Sequence, residues 1–164
     1  MPQYLVKPVN RIYAGGQNVN IQEFKVGANA TPAKMLPGRW VVYDAADGAV
    51  KESGAKASDV MGILEVDSGM LLTDNYAAAA MCKVIPLVSG VYVMCTLVAG
   101  AGNVVVMGDG VVTAADGKTA KLAVGAIGTQ GTITGKVLLA EDPTAADKTC
   151  LVELVGGRQA AAAA

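Results

Sequence analysis

The side chains able to do chemistry are few in this chain, and none stands at a spacing that assembles a reactive site. There is no histidine, which removes the usual general base, the usual zinc ligand and any Ser-His or Cys-His pair. Zinc held by cysteine alone needs paired short spacings such as CxxC. Cys82, Cys95 and Cys150 are far apart instead. They are also too few and too irregular for a secreted disulfide framework. Their neighbours, in Met81-Cys82, Met94-Cys95 and Cys150-Leu151-Val152, predict small buried hydrophobes in a protein that folds in a reducing compartment.

The carboxylates are isolated. Asp109 lies between two glycines and Asp116 precedes Gly117, positions where an aspartate folds back on its own backbone to make a turn. Asp44-Ala45-Ala46-Asp47-Gly48 approaches a calcium loop but lacks the second acidic cluster and the distal glutamate. Gly100-Ala101-Gly102 has no third glycine and no long helix after it, so it is no dinucleotide fingerprint, and GxxxxGK[ST] is absent. Lys83, Lys121 and Lys136 are the sites loosely comparable to a biotinyl or lipoyl lysine. None has the Met-Lys-Met or Asp-Lys-Ala surroundings of such carriers, and each reads as a strand-edge lysine that discourages aggregation. No catalytic residue, cofactor or metal is expected.

The bulk numbers exclude further classes. Thirteen basic and fourteen acidic residues nearly cancel and neither sign forms a run, so nothing tracks a phosphate backbone. Trp40, Phe24 and five tyrosines are not spaced as a stacking platform. Nucleic acid is not an expected partner. The N-terminus has no apolar signal-peptide core. The uncharged stretch from Val84 to Met107 is interrupted by Pro86, Ser89, Gly90, Gly100, Gly102 and Asn103, which favours two buried strands and a turn over a membrane helix. Only 16% of residues are charged while 52% are apolar. A surface so poor in charge favours an oligomer or a piece of a larger assembly.

The elements that would position any site are strands. From Val84 to Val155 short Val-rich runs alternate with glycine turns, which predicts an all-β fold, a small barrel or sandwich. The runs include Asn103–Gly108 and Lys121–Gly128. Upstream, Val19–Val26 alternates apolar with polar and predicts a strand with one buried face. Arg39–Tyr43, Ala49–Lys51 and Val60–Val66 are further strands, the first two joined through Asp47-Gly48. A short helix is expected over Tyr76–Met81, capped by Asp74 or Asn75, and another turn of helix at Asp142-Pro143. Before Val19 the prolines and glycines oppose helix and predict an extended N-terminal arm. Three regions follow: an arm and first strand over 1–30, a β-rich domain over 31–157, and a flexible Ala-rich tail over 158–164.

The order of pieces resembles a known family. Leu36-Pro37-Gly38-Arg39-Trp40, Val60-Met61-Gly62-Ile63, Val88-Ser89-Gly90-Val91, Met107-Gly108-Asp109-Gly110-Val111 and Val124-Gly125-Ala126-Ile127-Gly128 are similar to landmarks of small tailed-phage capsid cement proteins, the lambda-type decoration group. The resemblance covers residues 35–156. It implies a β-tulip-like domain that trimerises on the outside of an icosahedral capsid, at three-fold and quasi-three-fold sites. There it clamps neighbouring capsomers of the major capsid protein, having been made in the host cytoplasm. Within that reading the arm from Pro2 to Tyr13, Pro8 included, is the expected capsid contact, its main chain adding to a sheet edge while Tyr4, Val6, Ile12 and Tyr13 fill pockets. Three arms per homotrimer act multivalently. The other readings are a head-fibre base or tail-tube component, and a small β-barrel carrier or enzyme domain. An arm that wraps its own domain, or one that is disordered, is the alternative to a capsid contact.

Overall fold

A computed structural model describes residues 7–44, 48–123 and 131–159, and the fold is all-β. The strands are β1 (Tyr13–Gly16), β2 (Gln22–Lys25), β3 (Trp40–Asp44), β4 (Ala49–Glu52), β5 (Val60–Leu64), β6 (Met81–Pro86), β7 (Val91–Leu97), β8 (Gly110–Thr113), β9 (Thr119–Lys121), β10 (Thr132–Val137) and β11 (Lys148–Gln159). Among the described residues, helix is limited to single 3-10 turns at Pro32–Lys34, Ala101–Asn103 and Ala115–Gly117.

Two layers result. In the first, β7, β11, β10, β8 and β9 follow one another antiparallel, and a parallel pairing of Leu97 with Thr119 closes them into a five-stranded barrel. β1 adds to β7 beside that closure. The second layer is a sheet in the order β2-β6-β5-β3-β4, and a bridge between Val26 and Val50 draws its two edges together. The Val84–Met107 stretch does hold two strands and a turn, but β6 and β7 belong to different layers.

A period of two explains how one sheet serves two cores. In β3, β5 and β6 the cross-strand row Trp40, Ile63, Ile85 faces the barrel and joins its core. The intervening Val41, Leu64 and Val84 face the other way, into a second core with Val26, Met35, Val50, Tyr76 and Cys82. The six residues of these two strand rows are each at most 1% exposed. Trp40 also donates its indole N–H to Thr119 Oγ1 at 2.7 Å, so the buried ring carries a satisfied polar atom from one layer into the other. Close approach sets Gly62: a Cβ there would run into the Ile85 carbonyl oxygen of β6.

Four expectations need correction. Tyr76–Met81 is not a helix. Its six residues are too short to hold a helix alone, Tyr76 is anchored in the second core by its N–H on the Met35 carbonyl, and Met81 pairs with Lys25 in the sheet. Asp142-Pro143 starts no helix either, because Asp142 Oδ1 accepts the Thr144 N–H in a local turn. Asn103–Gly108 is not a strand beyond a bridge from Val105 to Glu141. Side chains occupy the backbone groups a ladder needs: Asp109 Oδ2 accepts the Val106 N–H and Lys121 Nζ donates to the Val104 carbonyl. Within Val19–Val26 only Gln22–Lys25 is strand. Val19 packs on the barrel core while Val26 belongs to the second, so this segment crosses between layers rather than lying on one face.

At the far end β11 continues through Arg158 to Gln159 by pairing with Ile133 and Thr132, two residues into the expected tail. Ala160–Ala164 lie outside the described residues, as do Val124–Gly128.

Candidate functional site

The residues expected to form the arm divide at Lys7. Pro2, Tyr4 and Val6 lie outside the described residues. Pro8 is half-buried. Ile12 is 2% exposed in the barrel core, and Tyr13 opens β1 opposite Val93. Ile12 and Tyr13 therefore do not belong to a free arm; they are built into their own domain. The cause is Glu65, a carboxylate at the end of β5 that is only 5% exposed. Its Oε1 accepts the N–H groups of Ile12 and Val66, and its Oε2 accepts that of Tyr13, each at 2.7 Å. A buried carboxylate needs such partners, and here they are the backbone of the entering chain. Tyr76 completes the cluster by donating its hydroxyl to the Glu65 carbonyl at 2.6 Å, and burial pushes that phenol up to about 12.

The same segment is tied down on its outer side. Asn10 adopts a left-handed φ of 51°, which asparagine tolerates better than most residues. Its amide donates to the Met70 carbonyl and accepts the Leu72 N–H, both at 3.1 Å. Lys7 donates to the Thr149 carbonyl at 2.8 Å and forms an ion pair with Glu141. Residues 7–13 are thus a strap across the molecule. It brings Val9, 92% exposed, alongside the turn holding the exposed Leu71 and Leu72. Beneath it a cleft of about 380 Å³ is lined by Arg11, Ile21, Met70 and the Asp67–Lys83 ion pair, whose atoms are 2.7 Å apart. The Arg11 guanidinium stands 5.8 Å from the centre of the Tyr13 ring, within cation–π range. This edge offers apolar side chains flanked by a fixed cation.

A second apolar group, Val104, Val106 and Met107, projects from the corrected Asn103–Gly108 loop. Sequence reasoning missed both it and Glu65. A lone acid inside the apolar run Gly62–Val66 was the available signal for Glu65, since it must either leave the strand or find donors. The exposed valines read as strand because their backbone partners, the side chains of Asp109 and Lys121, lie outside the run itself.

The turn reading of Asp109 and Asp116 holds: Asp109 caps its own loop, and Asp116 has φ 60°. Lys83 and Lys136 lie within β6 and β10 rather than at hairpin tips. Lys121 is paired with Asp109 at 2.9 Å. The three cysteines are free and buried, as small hydrophobes, and burial raises the Cys82 thiol to about 11. Among the described residues no three metal-ligating side chains gather, and no helix is long and apolar enough to cross a membrane.

Comparison with known proteins adds a likeness of fold. No protein-family profile matches the chain, and no curated protein matches it in sequence. Among solved structures it is similar to the N base of the head fibre protein gp8.5 of bacteriophage phi29, with a TM-score of 0.51 over 86% of this chain and 98% of that one. The two share a fold. At 10% sequence identity the likeness rests on strand order and packing rather than on matched side chains.

Proposed function

We propose that this chain is a non-enzymatic structural subunit of a phage virion, held on the outside of the head by the major capsid protein and associated with itself as a trimer. The observation that carries this reading is the likeness to a phage head-fibre base over nearly all of that domain, joined to the cement-protein landmarks between residues 35 and 156. The physical picture supports it. A barrel closed on itself has no free edge to aggregate, and exposed apolar groups such as Val9, Leu71 and Leu72 suit contact with another protein. Decoration of three-fold sites is the first form of the proposal. A fibre base is the second, favoured directly by the same likeness.

The strap sharpens the part played by the N-terminus. Because Ile12 and Tyr13 are used internally, the contact proposed for the arm falls to Pro2, Tyr4 and Val6, with Pro8 at the point where the strap begins. The test mixes the purified full chain with undecorated expanded capsids and images the product. Density at three-fold and quasi-three-fold positions is expected. Density confined to sparse fibre positions would favour the base instead, and no density at all would overturn a virion role. A chain lacking residues 1–6 is expected to fold with unchanged circular dichroism yet bind at least tenfold more weakly. Undiminished binding would remove the arm from the mechanism.

A further inference from the structure

Two of the three buried cysteines face each other across the barrel wall. Cys95 of β7 and Cys150 of β11 are direct partners in the antiparallel register, both 0% exposed. Register partners on adjacent strands point to the same face. The Cys95 thiol, moreover, donates to the Cys150 carbonyl at 3.5 Å, which brings its sulfur onto the partner residue. Cys82 is elsewhere, in the second core with Val26 and Leu64, whereas Cys95 and Cys150 belong to the barrel core. The pairing is therefore unambiguous.

We propose that Cys95 and Cys150 form an oxidation site, a latent cross-strand disulfide that a small peroxide closes within the folded barrel. The balance is simple. One thiol attacks hydrogen peroxide, giving a sulfenic acid and one water. The second thiol displaces hydroxide from that sulfur, which leaves as a second water once protonated, and the S–S bond forms. Two thiols are oxidised by two electrons and one peroxide is reduced to two waters. The two sulfurs already share one site, so the second step meets its partner without unfolding.

The register also sets the character of the bond. The N–H groups of Met94 and Thr96 point away from β11, to the carbonyls of Ile12 and Gly38. The N–H and C=O of Cys95 between them therefore face Cys150, making this a hydrogen-bonded pair. Such pairs hold their Cα atoms about 5.5 Å apart, within disulfide range, but their Cβ atoms are wider than the roughly 3.8 Å a relaxed bridge prefers. A bond made there is strained and gives way readily to a thiol reductant. Neither this site nor its chemistry depends on the virion reading.

The experiment uses the full chain, folded and fully reduced. After brief exposure to hydrogen peroxide and removal of excess oxidant, the protein is unfolded, alkylated with iodoacetamide and weighed intact, then digested for peptide mapping. The reduced chain is expected to take three alkyl groups. The oxidised chain should take one, on Cys82, lose two hydrogens in mass, and yield one cross-linked peptide joining Cys95 to Cys150. Millimolar glutathione should restore three alkylatable thiols. Three thiols after oxidation, a link that includes Cys82, a dimer between chains, or stable addition of oxygen without a link would each overturn the proposal. All of these outcomes are read on the unaltered chain, so no folding defect in a variant can obscure them.

Discussion

At the scale of single residues, Glu65 and Ser53 make opposite uses of a buried polar group. Glu65 has three backbone donors on its carboxylate, two of them from the strap. Replacing it in Glu65→Ala strands the N–H groups of Ile12 and Tyr13, and a loss of about 3 kcal/mol is expected in urea unfolding. Hydrogen exchange at Ile12 and Tyr13 should rise more than at β10 if the strap loosens first. Ser53 is 1% exposed, and its hydroxyl is without a hydrogen-bond partner among the described residues. Ser53→Ala removes an unmet desolvation cost, so it is expected to be neutral or stabilising by about 1 kcal/mol. Two surface carboxyls add a pH dependence. Lys83 holds Asp67 below the usual carboxylate range, and Lys121 does the same for Asp109, each helped by a backbone N–H. A depressed folded value means that the unfolded chain takes up protons first as pH falls. The contribution is thus complete above about pH 4 and lost below it. The urea midpoint should fall less between pH 5 and pH 3 in Lys121→Met than in the parent chain, although exposed pairs of this kind contribute little.

At the level of elements, β3 and β5 were legible as strands, and a strict period of two then gives each of them two faces. Trp40-Val41 and Ile63-Leu64 place consecutive apolar residues on opposite faces, which makes sense only where both faces are covered. Gly62 leaves no room for a side chain against β6. Gly62→Ala drives a methyl into the Ile85 carbonyl, and a destabilisation of about 3 kcal/mol or more is expected by chemical denaturation. Two of the misassigned elements share a cause. Tyr76–Met81 and Asn103–Gly108 carry good local signals for helix and strand, but their backbone groups are claimed from outside the segment, by Met35 for the first and by Asp109 and Lys121 for the second. Local propensity amounts to tenths of a kcal/mol per residue, and a buried tyrosine or a set of satisfied carbonyls outweighs it.

At the scale of the whole molecule, the barrel and the second sheet share the row Trp40, Ile63 and Ile85, so they are expected to unfold together. Trp40 is the chain's single tryptophan, placed at the junction and bonded to Thr119. Its fluorescence and the far-ultraviolet circular dichroism should report coincident urea transitions. Trp40→Leu keeps an apolar side chain but loses volume and the indole bond, and about 3 kcal/mol of stability should go with them. Two separate transitions in the parent chain would show that the layers are independent.

Consecutive residues already set the class of this protein: all-β, glycine-punctuated, without histidine and without a CxxC pair. Those properties are local, because the period of a strand, the φ demand of a turn and the identity of a side chain are written in consecutive residues. Tertiary structure alone decided that the strands divide between a closed barrel and a second sheet, since closure depends on Leu97 meeting Thr119. It also decided that Ile12 and Tyr13 are built into the domain rather than into a free arm, and that Cys95 meets Cys150 while Cys82 meets neither. Each of these is a pairing between segments far apart in the chain. Such pairings are fixed by which surfaces fill the core together, and no window of neighbouring residues contains that information.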